Sequence, residues 1–308
     1  MRVLMTGATG FIGRSLVARL QRDQHNVVAW ARSETRARRL LGAGVDVVPS
    51  DGPLEALAAT LTRCDAIVNL AGEPLMGRRW SASRRAALEA SRIGVTDRLV
   101  RALAAAQPRP RTLVSASAVG IYGDRGSELL TEASTPGDDF LAQLCQRWER
   151  AASPAEAQGV RVVLLRAGVV LGKGGGALAQ MLPPFKIGVG GPIGSGQQYL
   201  PWIHLHDHVR IISKALEDDR YRGPINGVAP EQVTNRAFAR TLGRALHRPA
   251  VLPLPGAALK AIFGQAATVL LASQRVEPGE LTALRFTFDF PTLDAALTDI
   301  VTDSSRIA

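Results

Sequence analysis

The feature that most constrains this chain is its opening: a short apolar strand running into a glycine-rich turn and then a helix. Residues 2–6 have β character, and residues 11–21 carry helical spacing with Ile12, Leu16, Val17 and Leu20 on one side. Between them stands Thr6-Gly7-Ala8-Thr9-Gly10-Phe11-Ile12-Gly13. Gly7 suits a tight turn, Gly10 lets backbone approach a pyrophosphate, and Gly13 lets helix and sheet pack closely. The start of the helix presents unpaired N–H groups and the positive dipole end to phosphates. A glycine pattern alone is weak. Its strand–turn–helix setting makes a dinucleotide loop the expectation.

The rest of the first half repeats the alternation. Strands are expected over 26–31, 45–49, 66–71, 112–117 and 160–167, and helices over 83–106 and 140–158. Pro108 and Pro110 stop the first of these helices. Gly159 ends the second, with Pro154 as a candidate kink. Apolar strands alternating with helices predict an α/β fold, a Rossmann-like doubly wound parallel sheet. Beyond Gly172 the texture changes. Gly and Pro are dense over 174–201 around one short helix, and helices follow near 206–218, 235–246, 255–263 and 292–301. The expected division is a nucleotide-binding domain over 1–172, completed by parts of 199–228, and a smaller substrate lobe over 173–308.

Composition bears on partners. The 308 residues are 46% hydrophobic and 5% aromatic, enough for a core built on aliphatic side chains. Net charge is +10, from 37 basic and 27 acidic residues. Lysine is confined to Lys173, Lys186, Lys214 and Lys260, so the charge is mostly Arg, spread along the chain. No dense basic stripe with interleaved aromatics appears, which argues against nucleic acid. No apolar run approaches the ~20 residues of a spanning helix. Cys64 and Cys145 are too few for a disulfide framework. A cytoplasmic protein without a leader peptide is expected, a monomer or homodimer that takes a small-molecule substrate.

The end of the second strand selects the nucleotide. An acid there binds a ribose 2′-hydroxyl, whereas an Arg accommodates a 2′-phosphate. The chain reads Ala29-Trp30-Ala31-Arg32-Ser33. Arg32 would clamp the phosphate and Ser33 would add a hydrogen bond, which favours NADP(H). A slip in register would bring Glu34 forward and favour NAD.

These segments, with Asn69-Leu70-Ala71-Gly72, Ser115-Ala116-Ser117 and Tyr122-Gly123, resemble the extended short-chain dehydrogenase/reductase family. Trp80, Arg92, the run from Leu144 to Glu149, and the stretches 190–196 and 199–204 resemble its atypical "epimerase family protein" branch. That branch carries its own C-terminal segment of unassigned function, here about 252–301. The resemblance implies that Thr9, Gly10, Phe11, Ile12, Gly13 and Arg32 hold the phosphates. Leu70, Ala71 and Gly72 would line the adenosine side, Arg92 would add a contact, and Val169 would lie near the nicotinamide. The plain alternative for Arg92 is a solvent-facing helix residue.

The general family works with a Tyr-x-x-x-Lys pair and a Ser or Thr. Positions four residues after Tyr122, Tyr199 and Tyr221 hold Gly126, Ile203 and Ile225, so no such pair exists. Leu141 and Cys145 fall at the Tyr and Lys positions, and Ala118 at the Ser position. Tyr122 and the adjacent Ser117 are the candidate proton donors. An ordinary packed Tyr and a structural Ser are the plain readings. His204 and Cys145 are expected to be structural, and Asp207 to cap a helix. Met181, Phe185 and Trp202 are expected to rim an apolar pocket beneath a lid or surface turn at 188–196. Two functions follow. One is an NADP(H)-dependent reductase or epimerase-like enzyme with an unusual proton donor. The other is an NADPH-sensing regulator or scaffold without turnover.

Overall fold

In the computed structural model, residues 1–302 are described. Seven strands form one parallel sheet: β1 (Arg2–Thr6), β2 (Asn26–Ala31), β3 (Val45–Pro49), β4 (Ala66–Asn69), β5 (Thr112–Ala118), β6 (Arg161–Ala167) and β7 (Gly223–Gly227). Their order is β7-β6-β5-β4-β1-β2-β3. The chain winds outward from β1 in one direction through β2 and β3. It then returns to β4 and winds the other way. The reversal leaves a crevice at the carboxyl ends of β1 and β4, where open α/β sheets bind ligands.

Helices α1 (Phe11–Arg22), α2 (Glu34–Leu41), α3 (Leu54–Leu61), α4 (Ala82–Glu89), α5 (Val95–Ala105), α6 (Phe140–Ala152), α7 (Gly176–Lys186) and α8 (Leu205–Glu217) follow in chain order. On one face Leu16, Val17 and Leu20 of α1 meet Ile211, Ile212 and Ala215 of α8 over Val3, Met5 and Val163. On the other, Leu57 and Leu61 of α3 and Leu99 and Leu103 of α5 cover Leu4, Val28 and Ile67. Burial on both faces explains why these strands are almost wholly apolar rather than alternating.

Several details depart from the sequence pattern, and helices α2 and α3 form where none was expected. β4 stops at Asn69, two residues early, which frees residues 70–72 to form a loop. The helix expected over 83–106 is interrupted by a π-helical turn, Ala90–Gly94. The α-helix ending at Ala152 continues as a 3₁₀ turn, Ser153–Gln158, with Pro154 in the first positions, where no N–H donor is required. β7 reads Gly-Pro-Ile-Asn-Gly, poor strand chemistry. It pairs with β6 alone, and an edge strand tolerates Pro.

The stretch after residue 173 contributes α8 and β7 to the main sheet domain. Of the later helices, α7, α9 (Asn235–Ala245), α10 (Gly256–Phe263) and α11 (Leu293–Thr302) belong to the second lobe. Leu171, Leu178, Phe185, Trp202, Phe238 and Leu297 fill a separate core there. Residues 303–308 of the expected lobe lie outside the described residues. Among the described residues, no helix is long and apolar enough to cross a membrane.

Candidate functional site

Gly7 sits in the left-handed region at φ 64°, and a Cβ there would lie 2.5 Å from the Leu70 carbonyl oxygen. Only glycine lets the loop after β1 pass this close to the loop after β4. At Gly13 a Cβ would fall 2.2 Å from the Gly7 oxygen and 2.7 Å from Ala8 Cα. Gly13 therefore packs α1 against the glycine loop itself rather than against the sheet. Gly10 caps α1 in extended conformation, with no side-chain cap and no acid in the first turn. The helix end is thus left available to an anion. Thr9 and Ile12 occupy the same turn. The Phe11 ring turns away: a Cβ on Gly175 would lie 2.4 Å from its Cδ2. Phe11 can serve a phosphate through its backbone only, while its side chain ties the loop to the second lobe.

At the end of β2, Arg32 reaches across to Glu73 Oε1 at 3.3 Å, with its side chain 86% exposed. Ser33 caps α2 by accepting the Arg36 N–H at 3.3 Å. Glu34 lies within α2, where its Oε1 accepts from Arg38 Nε at 2.8 Å. The register that would bring Glu34 forward is not adopted, because β2 ends at Ala31 and the Ser33 cap starts the helix.

The loop over Leu70, Ala71 and Gly72 is held by a buried polar chain that sequence reasoning missed. Thr6 Oγ1 donates to Asn69 Oδ1 at 2.7 Å and accepts the Ala71 N–H at 3.0 Å. Asn69 Nδ2 donates to Thr96 Oγ1 at 2.8 Å, which also accepts from Trp148 Nε1 at 3.1 Å. Thr96 then donates to the Arg92 carbonyl at 2.7 Å. Sequence offers no signal for such a chain, since its members come from β1, β4, α5 and α6.

Arg92 is buried, which removes the solvent-facing alternative. The π turn points its guanidinium inward, where it donates to the Glu73 carbonyl at 2.9 Å and lies over Trp148 at 5.3 Å. A Cβ on Gly72 would stand 3.1 Å from its Cζ. Burial pulls its pKa below the usual Arg value. Single π turns inside helices recur at functional sites.

The two candidate proton donors belong to one internal network. Tyr122 is fully buried; its hydroxyl donates to Asn226 Oδ1 at 2.7 Å and accepts from Arg166 at 3.0 Å. Burial raises its pKa further, although Arg166 and Asn226 oppose this. Ser117 is also buried and donates to Glu149 Oε1 at 2.6 Å. Arg166 grips both oxygens of Glu149 at 2.9 Å. Both hydroxyls are thus committed to internal partners, and the geometry matches their plain structural readings.

Cys145, at the position of the usual Lys, is buried, and burial pushes its thiol up to about 12. Val169 begins a three-residue strand paired with Trp202–His204, and its N–H donates to the Pro201 carbonyl at 2.8 Å. Phe185 and Trp202 lie in the core of the second lobe with Met181 packed beside them, and so form no pocket rim. The stretch 188–196 is pinned rather than open: Gly194 donates to the Leu254 carbonyl, and Leu254 to that of Pro192, both at 2.9 Å. Asp207 is not the cap of α8, a role taken by His204, whose Nδ1 accepts the His206 N–H at 3.2 Å. Asp207 instead accepts the Asp289 and Phe290 N–H groups at 3.0 and 2.9 Å, fastening the C-terminal segment to α8.

Comparison with known proteins agrees with this architecture. Residues 3–226 match the NAD dependent epimerase/dehydratase family, and residues 254–300 match a domain of unknown function, DUF1731. The chain is 43% identical over 307 residues to "Epimerase family protein SDR39U1 homolog, chloroplastic" of Arabidopsis thaliana, spanning 98% of this chain and 87% of that protein. It resembles the crystal structure of human epimerase family protein SDR39U1 (isoform2) with NADPH. The TM-score is 0.89 at 41% identity, over 98% of this chain and 100% of that one. The nucleoside-diphosphate sugar epimerase from Corynebacterium glutamicum gives 0.76 at 34% identity, over 99% of this chain and 60% of that one. The chain belongs to the NAD dependent epimerase/dehydratase family, in the epimerase family protein branch that ends in a DUF1731 segment.

Proposed function

We propose that the chain binds NADP(H) and acts as an atypical short-chain reductase or epimerase-like protein on a small carbonyl, hydroxyl or sugar-nucleotide-like substrate. The observation that carries the cofactor reading is the cradle at the switch point. Its turn closes on the Leu70 loop at Gly7 and on the start of α1 at Gly13, where a Cβ would strike backbone, and the exposed Arg32 guanidinium stands at the end of β2. The human relative crystallised with NADPH supports the same reading. When bound, the nicotinamide supplies hydride transfer; this chain supplies orientation, phosphate neutralisation and exclusion of water. Thr9 to Gly13, Arg32 and Ser33 would serve the phosphates. Leu70 to Gly72 would serve the adenosine side, Arg92 would add a contact, and Val169 would face the nicotinamide. We place the protein in a reducing compartment such as the cytoplasm, in keeping with two buried free thiols.

Replacing Arg32 by Ala tests cofactor choice. NADPH affinity should fall by about tenfold or more, the scale of one charge-assisted phosphate contact, with NADH affinity little changed. Equal losses in fluorescence titrations of the two nucleotides would refute the assignment.

One observation favours the second reading, a NADPH sensor without turnover: Tyr122 and Ser117 are both buried and hydrogen-bonded internally. Tyr122→Phe separates the two. It leaves Asn226 Oδ1 and one Arg166 donor short of a partner, so stability should fall by ~1–3 kcal/mol. NADPH binding should be retained. If Tyr122 is only structural, any turnover found across a carbonyl panel survives per folded molecule. Turnover abolished in a folded, NADPH-binding variant would make Tyr122 the proton donor.

A further inference from the structure

A cavity of about 360 Å³ opens beside the carboxyl end of β5, between α4, the start of α6 and the segment that follows α10. Its walls include Trp80, Arg85, Phe140, Leu141, Gln143 and Gln265. Leu141 connects it to the strand end: a Cβ on Gly120, two residues beyond β5, would lie 3.7 Å from Leu141 Cβ. The main sheet domain provides one wall and the C-terminal segment the other. Ligands of open α/β sheets enter at this end. The volume falls in the lower range of metabolite pockets.

The chemistry of the walls is specific. Trp80 and Phe140 form an aromatic pair with centroids 5.2 Å apart and planes tilted by 57°. Trp80 Nε1 is satisfied by the Leu75 carbonyl at 2.9 Å, so the indole presents apolar surface. Arg85 is half-buried and lies 4.8 Å from the Phe140 centroid. Its guanidinium has no carboxylate, hydroxyl or carbonyl partner among the described residues. Other described arginines without such a partner are solvent-exposed, whereas Arg84, Arg92 and Arg147, nearby and like Arg85 not fully exposed, each hold a carboxylate or carbonyl. One acid, Asp139, also lines the cavity, but its Oδ1 is spent on the Ala142 N–H at 2.9 Å as the cap of α6. The wall therefore carries one cation without an ionic partner and one carboxylate held at the cap of α6. A monoanion on Arg85 adds one negative charge near Asp139, and a dianion adds two.

We propose that this cavity is the substrate site and takes an aryl carboxylate, its ring against Trp80 and Phe140 and its carboxylate on Arg85. A carboxylate can take two N–H bonds from a guanidinium whose fork is already held over Phe140. Gln265 also lines the cavity and can donate to a further oxygen, while the Gln143 amide already donates to the Asp138 carbonyl at 2.8 Å. The assignment as substrate site rests on the reductase reading; the binding itself does not.

The test uses the full chain, titrated calorimetrically with benzoate, 2-naphthoate and phenylpyruvate, with and without saturating NADPH. 2-Naphthalenemethanol serves as the neutral control and phenyl phosphate as the dianion. Saturable binding of at least one carboxylate is expected, tighter than either control. Arg85→Gln should weaken it by about tenfold or more and leave the neutral control unchanged. Trp80→Leu should weaken both. Three results would each overturn the proposal: no saturable binding by any carboxylate, carboxylate affinity indifferent to Arg85→Gln, or tighter binding of phenyl phosphate. NADPH affinity measured on the same samples isolates the cofactor reading. Its loss with carboxylate binding intact refutes the reductase reading alone.

Discussion

Gly13→Val is expected to weaken NADP(H) binding about 100-fold while leaving a folded protein. A Cβ at this position would sit 2.2 Å from the Gly7 carbonyl oxygen and 2.7 Å from Ala8 Cα, both backbone atoms of the phosphate-facing turn. No flexible side chain can yield. Either the turn or the start of α1 must move, and both belong to the cradle. Valine adds two γ carbons to the same clash. Overpacking costs ~1–3 kcal/mol and here falls entirely on the bound geometry, so NADPH affinity should drop about 100-fold. Gly13→Ala carries the Cβ alone and should show a smaller loss in the same direction. Circular dichroism would report the fold, and NADPH fluorescence the binding. Affinity within threefold of wild type in a folded Gly13→Val protein would mean that this turn does not carry the nucleotide.

The second large effect concerns the Glu149–Arg166 pair. Both side chains are about nine-tenths buried, and the guanidinium holds the two carboxylate oxygens at 2.9 Å each. Burial alone would lower the pKa of Arg166. The paired Glu149 more than offsets it, and the group is held above its ordinary value. Removing one partner strands the other charge in the interior. Glu149→Leu should therefore cost ~3–5 kcal/mol in urea unfolding. Glu149→Gln, which keeps an acceptor for Arg166 and for Ser117, should cost less. The double change Glu149→Leu with Arg166→Met should recover much of the loss, because a well-packed apolar pair avoids the desolvation penalty. If Glu149→Leu alone costs under ~1 kcal/mol, the pair is hydrated in solution and the buried network does not organise the β5 and β6 ends.

That network has a consequence for catalysis. Ser117 and Tyr122, read from sequence as proton donors, end on Glu149 and on Asn226 and Arg166. Asn226 in turn reaches the Glu277 carbonyl at 3.0 Å, and its N–H donates to Glu132 at 2.9 Å. The polar groups at the carboxyl ends of β5, β6 and β7 are thus cross-linked to the C-terminal segment. In the family's general pattern the hydroxyls beyond β5 work on substrate. Here the same hydroxyls are held by internal partners.

The sequence by itself determined the parts of this protein that depend on local stereochemistry and on period. A turn that needs positive φ at Gly7 and no Cβ at Gly13 can be read from residue type. So can strands buried on both faces, whose apolar runs replace alternation. The position of Arg32 at the end of the second strand was legible too, whereas the start of α2 at the Ser33 cap was not. What only the tertiary structure decided depends on which groups meet across the chain. Burial turned Tyr122 inward, and the π turn buried Arg92 against Gly72 and Trp148. Asp207 left its own helix end to hold residues 289 and 290. β7 became a strand because β6 offered an unpaired edge, not because Gly-Pro-Ile-Asn-Gly favours one. The cavity beneath Trp80 joins residues more than a hundred positions apart, and no local pattern encodes a surface shared by two lobes.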